Sequence, residues 1–158
     1  MIYGIAEFLN KNKIKTEDIE IIFFEKGPDV ENAKELCRKL NISTYITWKK
    51  EVSQYELNQI IKKCDVAFDQ LGDQWIGYGI VVMAVGRPLI ANGRPEVFEP
   101  LTGEQSPVCQ AANLKEVSDW LELLFYSPEK KHTIGKASSI YVRKHYDINK
   151  TIDFITSI

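Results

Sequence analysis

Runs of β-branched and aromatic residues alternate along this chain with stripes of helical spacing, and that alternation restricts the fold more than any other feature. The strand candidates are Ile19–Phe24, Thr44–Trp48, Asp65–Phe68, Pro88–Ala91 and Pro107–Ala111. They are almost continuously hydrophobic, the pattern of parallel strands buried on both faces. Between them lie stripes at i, i+3, i+4 and i+7: Ala33, Leu36, Cys37 and Leu40, then Leu57, Ile60, Ile61 and Cys64. Ser53 and Glu56 form a capping box ahead of the second stripe. Asn113 to Glu116 opens a third helix, with Val117, Leu121 and Leu124 inward. Ser127-Pro128 starts a fourth, which runs to about Tyr146, and Ile148, Ile152 and Ile155 suggest a last one.

Strand, helix, strand, helix implies right-handed crossovers and a parallel sheet. The expected fold is α/β: a Rossmann-like, doubly wound sheet of about five or six strands, helices on both faces and extra C-terminal helices. The 158 residues suffice for one domain, and there is no repeat or linker. The chain opens directly on a helical stripe, Ile2, Ile5, Ala6 and Leu9, with no strand before it. An α/β unit usually leads with a strand, so the expectation is a domain from something longer.

Charge narrows the function. The net charge is −2, with lysines and acids interspersed. Nucleic-acid or polybasic membrane binding needs clustered positive charge. No apolar run is long enough to span a bilayer. Cys37, Cys64 and Cys109 form no C-x-x-C and are expected as free, buried thiols in a reducing compartment. His132 and His145 fall in a lysine-rich stretch and are expected on the surface. No metal cluster and no nucleophile–base pair is visible.

In a parallel sheet the strand-to-helix loops form the functional edge. Here they are 25–28, 48–51, 69–76 and 92–103, and the unusual glycines, prolines and tryptophans concentrate there. The segment Asp69–Ile90 is the richest. Gly77, Tyr78 and Gly79 stand at the start of the helix containing Met83, and two readings stay open. The amides cradle a phosphate, or the glycines let helix pack on sheet. Asp69 is either an acceptor for sugar or ribose hydroxyls or, the favoured reading, a cap or turn at a strand end. Asp73 is either a sugar-hydroxyl acceptor or a turn residue. Trp75 either stacks on a ring or covers the core. Arg94 either grips a phosphate or pairs with Glu96 or Glu99.

Those segments resemble the C-terminal, donor-binding domain of GT-B-fold glycosyltransferases of the "glycosyl transferases group 1" kind. The likeness covers nearly the whole chain. It rests on Glu25-Lys-Gly-Pro28, Cys64-Asp-Val66, Val82-Met-Ala-Val-Gly-Arg-Pro-Leu-Ile90, Pro95-Glu-Val97 and Leu101-Thr-Gly-Glu104. The resemblance implies a retaining enzyme that moves a hexosyl unit from a nucleotide-diphosphate sugar to a glycan or lipid acceptor, in polysaccharide biosynthesis. The base would lie near Trp48, Lys49 and Lys50, and the diphosphate against Gly77, Tyr78 and Gly79. Asp73, Trp75, Arg94 and Glu96 complete the implied donor site. No tightly bound metal and no other cofactor is implied. The location would be cytoplasmic, or peripheral at the inner membrane face in a full-length protein.

Two departures qualify the likeness. The family pairs two glutamates eight residues apart. Counting from Met83, Asp73 replaces the first and Val81 the second. Valine accepts no hydrogen bond, and a charge-assisted contact of that kind is worth about 1.5–3 kcal/mol. The phosphate-binding arginine and lysine of the family, and its N-terminal acceptor domain, lie upstream of the segments matched here. The 158 residues alone are therefore expected to be inactive. Other readings are a non-catalytic binding or regulatory module on the same scaffold, or half of a GT-B-fold nucleotide-sugar epimerase. A phospho-receiver would need an acidic pair beside Glu25 and a lysine after Pro107–Ala111, and both are missing.

Overall fold

The computed structural model describes residues 1–73 and 77–147. In chain order the elements are α1 (Ile2–Asn12), β1 (Ile21–Phe24), α2 (Val30–Lys39), β2 (Ile46–Lys49), α3 (Gln54–Lys63), β3 (Ala67–Phe68), α4 (Gly79–Ala84), β4 (Leu89–Ala91), α5 (Pro95–Thr102), β5 (Cys109–Gln110), α6 (Leu114–Tyr126) and α7 (Pro128–His145). A single 3-10 turn, Ser43–Tyr45, takes the front of the strand expected at Thr44–Trp48. The helix expected around Ile148, Ile152 and Ile155 lies outside the described residues.

Each expected strand is present, shortened, and every pairing is parallel. The single sheet of five or six strands is corrected. Two ladders form instead, β1–β2 and β3–β4–β5. In the first, Ile21 to Phe24 pair with Ile46 to Lys49. In the second, Phe68 pairs with Ile90, and Ile90 with Cys109. β1 and β3 share no ladder, and β3 is two residues long, so little backbone is available for lateral pairing.

Alternation along β4 builds the core. Side chains on a strand point to opposite faces in turn. Ile90 joins a cluster with Ile5, Phe8 and Leu9 of α1, Cys37 of α2, and Val117, Leu121 and Leu124 of α6. Leu89 and Ala91 join another with Ile61 of α3, Val82 and Met83 of α4, and Tyr141 and Val142 of α7. Helices therefore cover both faces of β4. Fully burying one side chain such as Ile90 contributes about 1.5–3 kcal/mol. Burial on both faces, expected for all strands, is complete only in β4; β2 and β3 keep every residue half-buried.

Helix packing is tight where glycines allow it. A β-carbon on Gly4 would lie 2.6 Å from the Leu114 carbonyl oxygen, so α1 and α6 meet backbone to side chain. Both expected caps on α3 and α6 form: Ser53 and Glu56 exchange bonds, and Asn113 accepts from the Glu116 amide. Ser127 does not cap α7 with its side chain, although Pro128 occupies the first turn. No helix among the described residues is long and apolar enough to cross a membrane.

Candidate functional site

The candidates gather in two groups, each past the carboxyl ends of parallel strands. The first surrounds Trp48 on β2. Its indole meets Phe23 of β1 at 5.3 Å between ring centroids, tilted by 48°. Lys34 Nζ sits 5.6 Å from the Trp48 ring centroid and 2.8 Å from Glu25. That ammonium holds the Glu25 carboxyl below its usual range. Beside Trp48 opens a cleft of about 300 Å³, lined also by Ile2, Phe23, Phe24, Lys26, Gly27 and Pro28. Gly27 has φ of 100°, a backbone that side chains rarely adopt, and it turns the chain out of β1. Lys49 ends β2 half-buried and pairs in register with Phe24.

The second group follows β3 and β4. Gly79 begins α4, but its amide is occupied. Asp69 Oδ2 accepts from Gly79 N at 2.7 Å, and Oδ1 accepts from Gln70 N at 2.9 Å. These two bonds match the reading of Asp69 as a cap or turn at a strand end. Burial pushes its carboxyl above the ordinary value, and the two amide bonds oppose that shift. A β-carbon on Gly79 would meet Leu89 Cδ2 at 2.5 Å. Close packing thus accounts for Gly79, one of the two readings left open by the sequence. Tyr78 donates its hydroxyl to Asn58 Oδ1 on α3 at 2.6 Å, which ties that side chain to helix packing. Gly77 is exposed, with φ of 30°.

Asp73 and Glu96 meet through Arg94. The Arg94 guanidinium donates to the Asp73 carbonyl at 2.6 Å and pairs through Nε with Glu96. This bond holds the Glu96 carboxyl below, and the guanidinium above, their ordinary values. The pairing with Glu96 matches one of the two readings left open for Arg94. The segment 92–103, expected as a loop, is corrected: residues Pro95–Thr102 form α5, with proline in the first turn where it costs no helical bond.

Two residues that the sequence did not single out organise this group. Asn92, 8% exposed, accepts through Oδ1 from Gln110 Nε2 at 2.7 Å and from Arg94 N at 3.2 Å. Gln110 Oε1 accepts from Gly93 N at 2.7 Å. Arg94 itself adopts φ 47°, ψ 57°, a left-handed backbone costing an L-residue roughly 1–2 kcal/mol. The signal available beforehand was a lone Asn after a buried strand, which composition does not distinguish from a turn residue.

Trp75 lies outside the described residues. Val81 is half-buried on α4 and offers no acceptor. His145, expected at the surface, has a side chain only 14% exposed and pairs with Glu104 at 2.6 Å. Its ring also contacts Tyr141, 4.7 Å between centroids. Cys37, Cys64 and Cys109 are free; Cys37 and Cys109 are buried, and Cys64 is half-buried with its thiol donating to the Ile61 carbonyl at 3.2 Å. No group of three or more histidines, cysteines or acids is placed to hold a metal among the described residues.

The fold and these loops define a mixed α/β protein with parallel strands. No known family model matches the chain, and no curated protein matches it.

Proposed function

We propose that this chain is the donor-binding part of a retaining glycosyltransferase of the GT-B kind, working in the cytoplasm with an acceptor-binding domain outside these 158 residues. The observation that carries it is the open cleft lined by Phe23 of β1, Trp48 of β2 and the turn that follows β1. Its apolar and aromatic lining suits a planar base. Arg94, Asp73 and Glu96 form a second polar group past neighbouring strand ends, suited to diphosphate and sugar. In this role Trp48 and Lys49 contact the base, and the exposed Gly77 lies against the diphosphate.

Titration calorimetry with UDP-, GDP- and ADP-sugars tests the proposal. Binding of one of them, lost in Trp48→Ala, is the expected result. No heat with any of the three would refute it. The isolated chain is expected to bind without turnover.

A non-catalytic binding module on the same scaffold is the second reading. Two observations favour it. Val81 offers no ribose acceptor, and Asp69 already fills the amide at the start of α4. Binding that persists without transfer, when an acceptor domain and acceptor are supplied, would select this reading.

A further inference from the structure

We propose that Gln110 and Asn92 are positioning residues for Arg94, holding its guanidinium where the phosphate of a nucleoside diphosphate binds. This rests on the donor-binding role proposed above.

Three non-glycine residues have positive φ among those described. Lys13 and Asn41 follow the last turns of α1 and α2, where left-handed backbone is an ordinary way to end a helix. Arg94 begins a helix, where extended backbone is usual. Glycine would take the same conformation without cost. An arginine persists there because its surroundings impose it, and such imposed strain collects at binding sites.

The imposing groups are two carboxamides. Gln110 fixes Gly93 through Oε1 and Asn92 through Nε2; Asn92 fixes the Arg94 amide. Asn92 Nδ2 also donates to the Gly72 carbonyl at 3.3 Å, so the same pair anchors the loop after β3. From this backbone the guanidinium spans both loops, reaching Glu96 and the Asp73 carbonyl. Its planar fork fits phosphate oxygens. The Glu96 carboxylate, 60% exposed, swings into water when a phosphate replaces it.

The test is a double-mutant cycle on the whole chain, titrated with UDP, GDP and ADP, with a thermal midpoint for each variant. Arg94→Gly is expected to weaken binding about tenfold or more while leaving the midpoint unchanged or higher. Gln110→Met is expected to weaken binding less. The double variant is expected to bind no more weakly than Arg94→Gly, since Gln110 acts through Arg94. If Gln110→Met fails to fold, Gln110→Glu replaces it, keeping the acceptor for Gly93 and losing the donor to Asn92. Wild-type binding that neither substitution changes overturns the positioning role and leaves the donor role standing. Additive losses in the double variant overturn it too. A wild type that binds none of the three nucleotides overturns both.

Discussion

Gly135 on α7 stands so close to Gly86 that a β-carbon on it would lie 2.1 Å from the Gly86 carbonyl oxygen. Gly86, with φ of 76°, is the turn between α4 and β4. One glycine makes the turn and the other lets a long helix lie against it. The Gly86-Arg-Pro88 element therefore has a packing role independent of any ligand.

Gly135→Ala is accordingly expected to force α7 off the turn, at a cost of about 1–3 kcal/mol as in other overpacked sites. Urea denaturation followed by circular dichroism measures it. A midpoint equal to wild type would contradict the close contact.

Asp69 gives the second expectation. Asp69→Ala orphans the Gly79 amide on a buried residue, a loss of about 1–3 kcal/mol. Asp69→Asn keeps one acceptor and is expected to cost less. The pH dependence has a definite sign. The folded-state pKa is raised, so the native state holds this proton more tightly than the unfolded chain. The Asp69 contribution to stability therefore falls as pH rises through the interval above its ordinary value of 3.8. Asp69→Asn should remove that component from a stability–pH curve.

Glu104 is expected to act in the opposite sense. Hydrogen bonds from Lys144 and His145 hold its carboxyl below the ordinary value of 4.5. That stabilisation is present above 4.5 and is lost as pH falls through the folded-state pKa. Glu104→Gln should lower the urea midpoint at pH 7, and the difference from wild type should shrink as pH falls through the folded-state pKa. A difference that persists at low pH would assign the effect to shape rather than charge.

The cysteines supply a fourth. Burial pushes the Cys109 thiol up to about 12 and raises Cys37 and Cys64 as well. Thiolate is the reactive form. At pH 8 a disulfide reagent is expected to leave Cys37 and Cys109 unmodified in the native protein and to label all three cysteines in urea. Rapid native labelling of Cys109 would show that the β5 region opens.

Local signals carried much of the fold into view. The capping box at Ser53, the Asn113 cap and the stripe Val117, Leu121, Leu124 follow from short-range chemistry, and each is present. Lateral strand pairing does not follow from such signals. An apolar run such as Ile19–Phe24 announces a strand but not its neighbours, so the division into two ladders was invisible. The α5 helix was hidden because Asn92 and Gly93 before it, Gly103 after it and Pro95 and Pro100 within it read as turn residues. At the candidate site, the Arg94–Glu96 pair was an alternative the spacing allowed. The Asn92–Gln110 bridge joins residues eighteen apart, a separation no motif encodes.

The division between β1–β2 and β3–β4–β5 has a thermal consequence. With no ladder hydrogen bond joining them among the described residues, the two halves cohere through shared apolar contacts, Ile21 and Phe23 with Ile90 and Phe68 in one cluster. Apolar cohesion weakens as water is cooled, while the hydrogen bonds within each ladder do not depend on it in the same way. The contacts that join the two ladders are therefore expected to weaken on cooling, and faster amide exchange in the cold at Ile21 and Ile90 would register it.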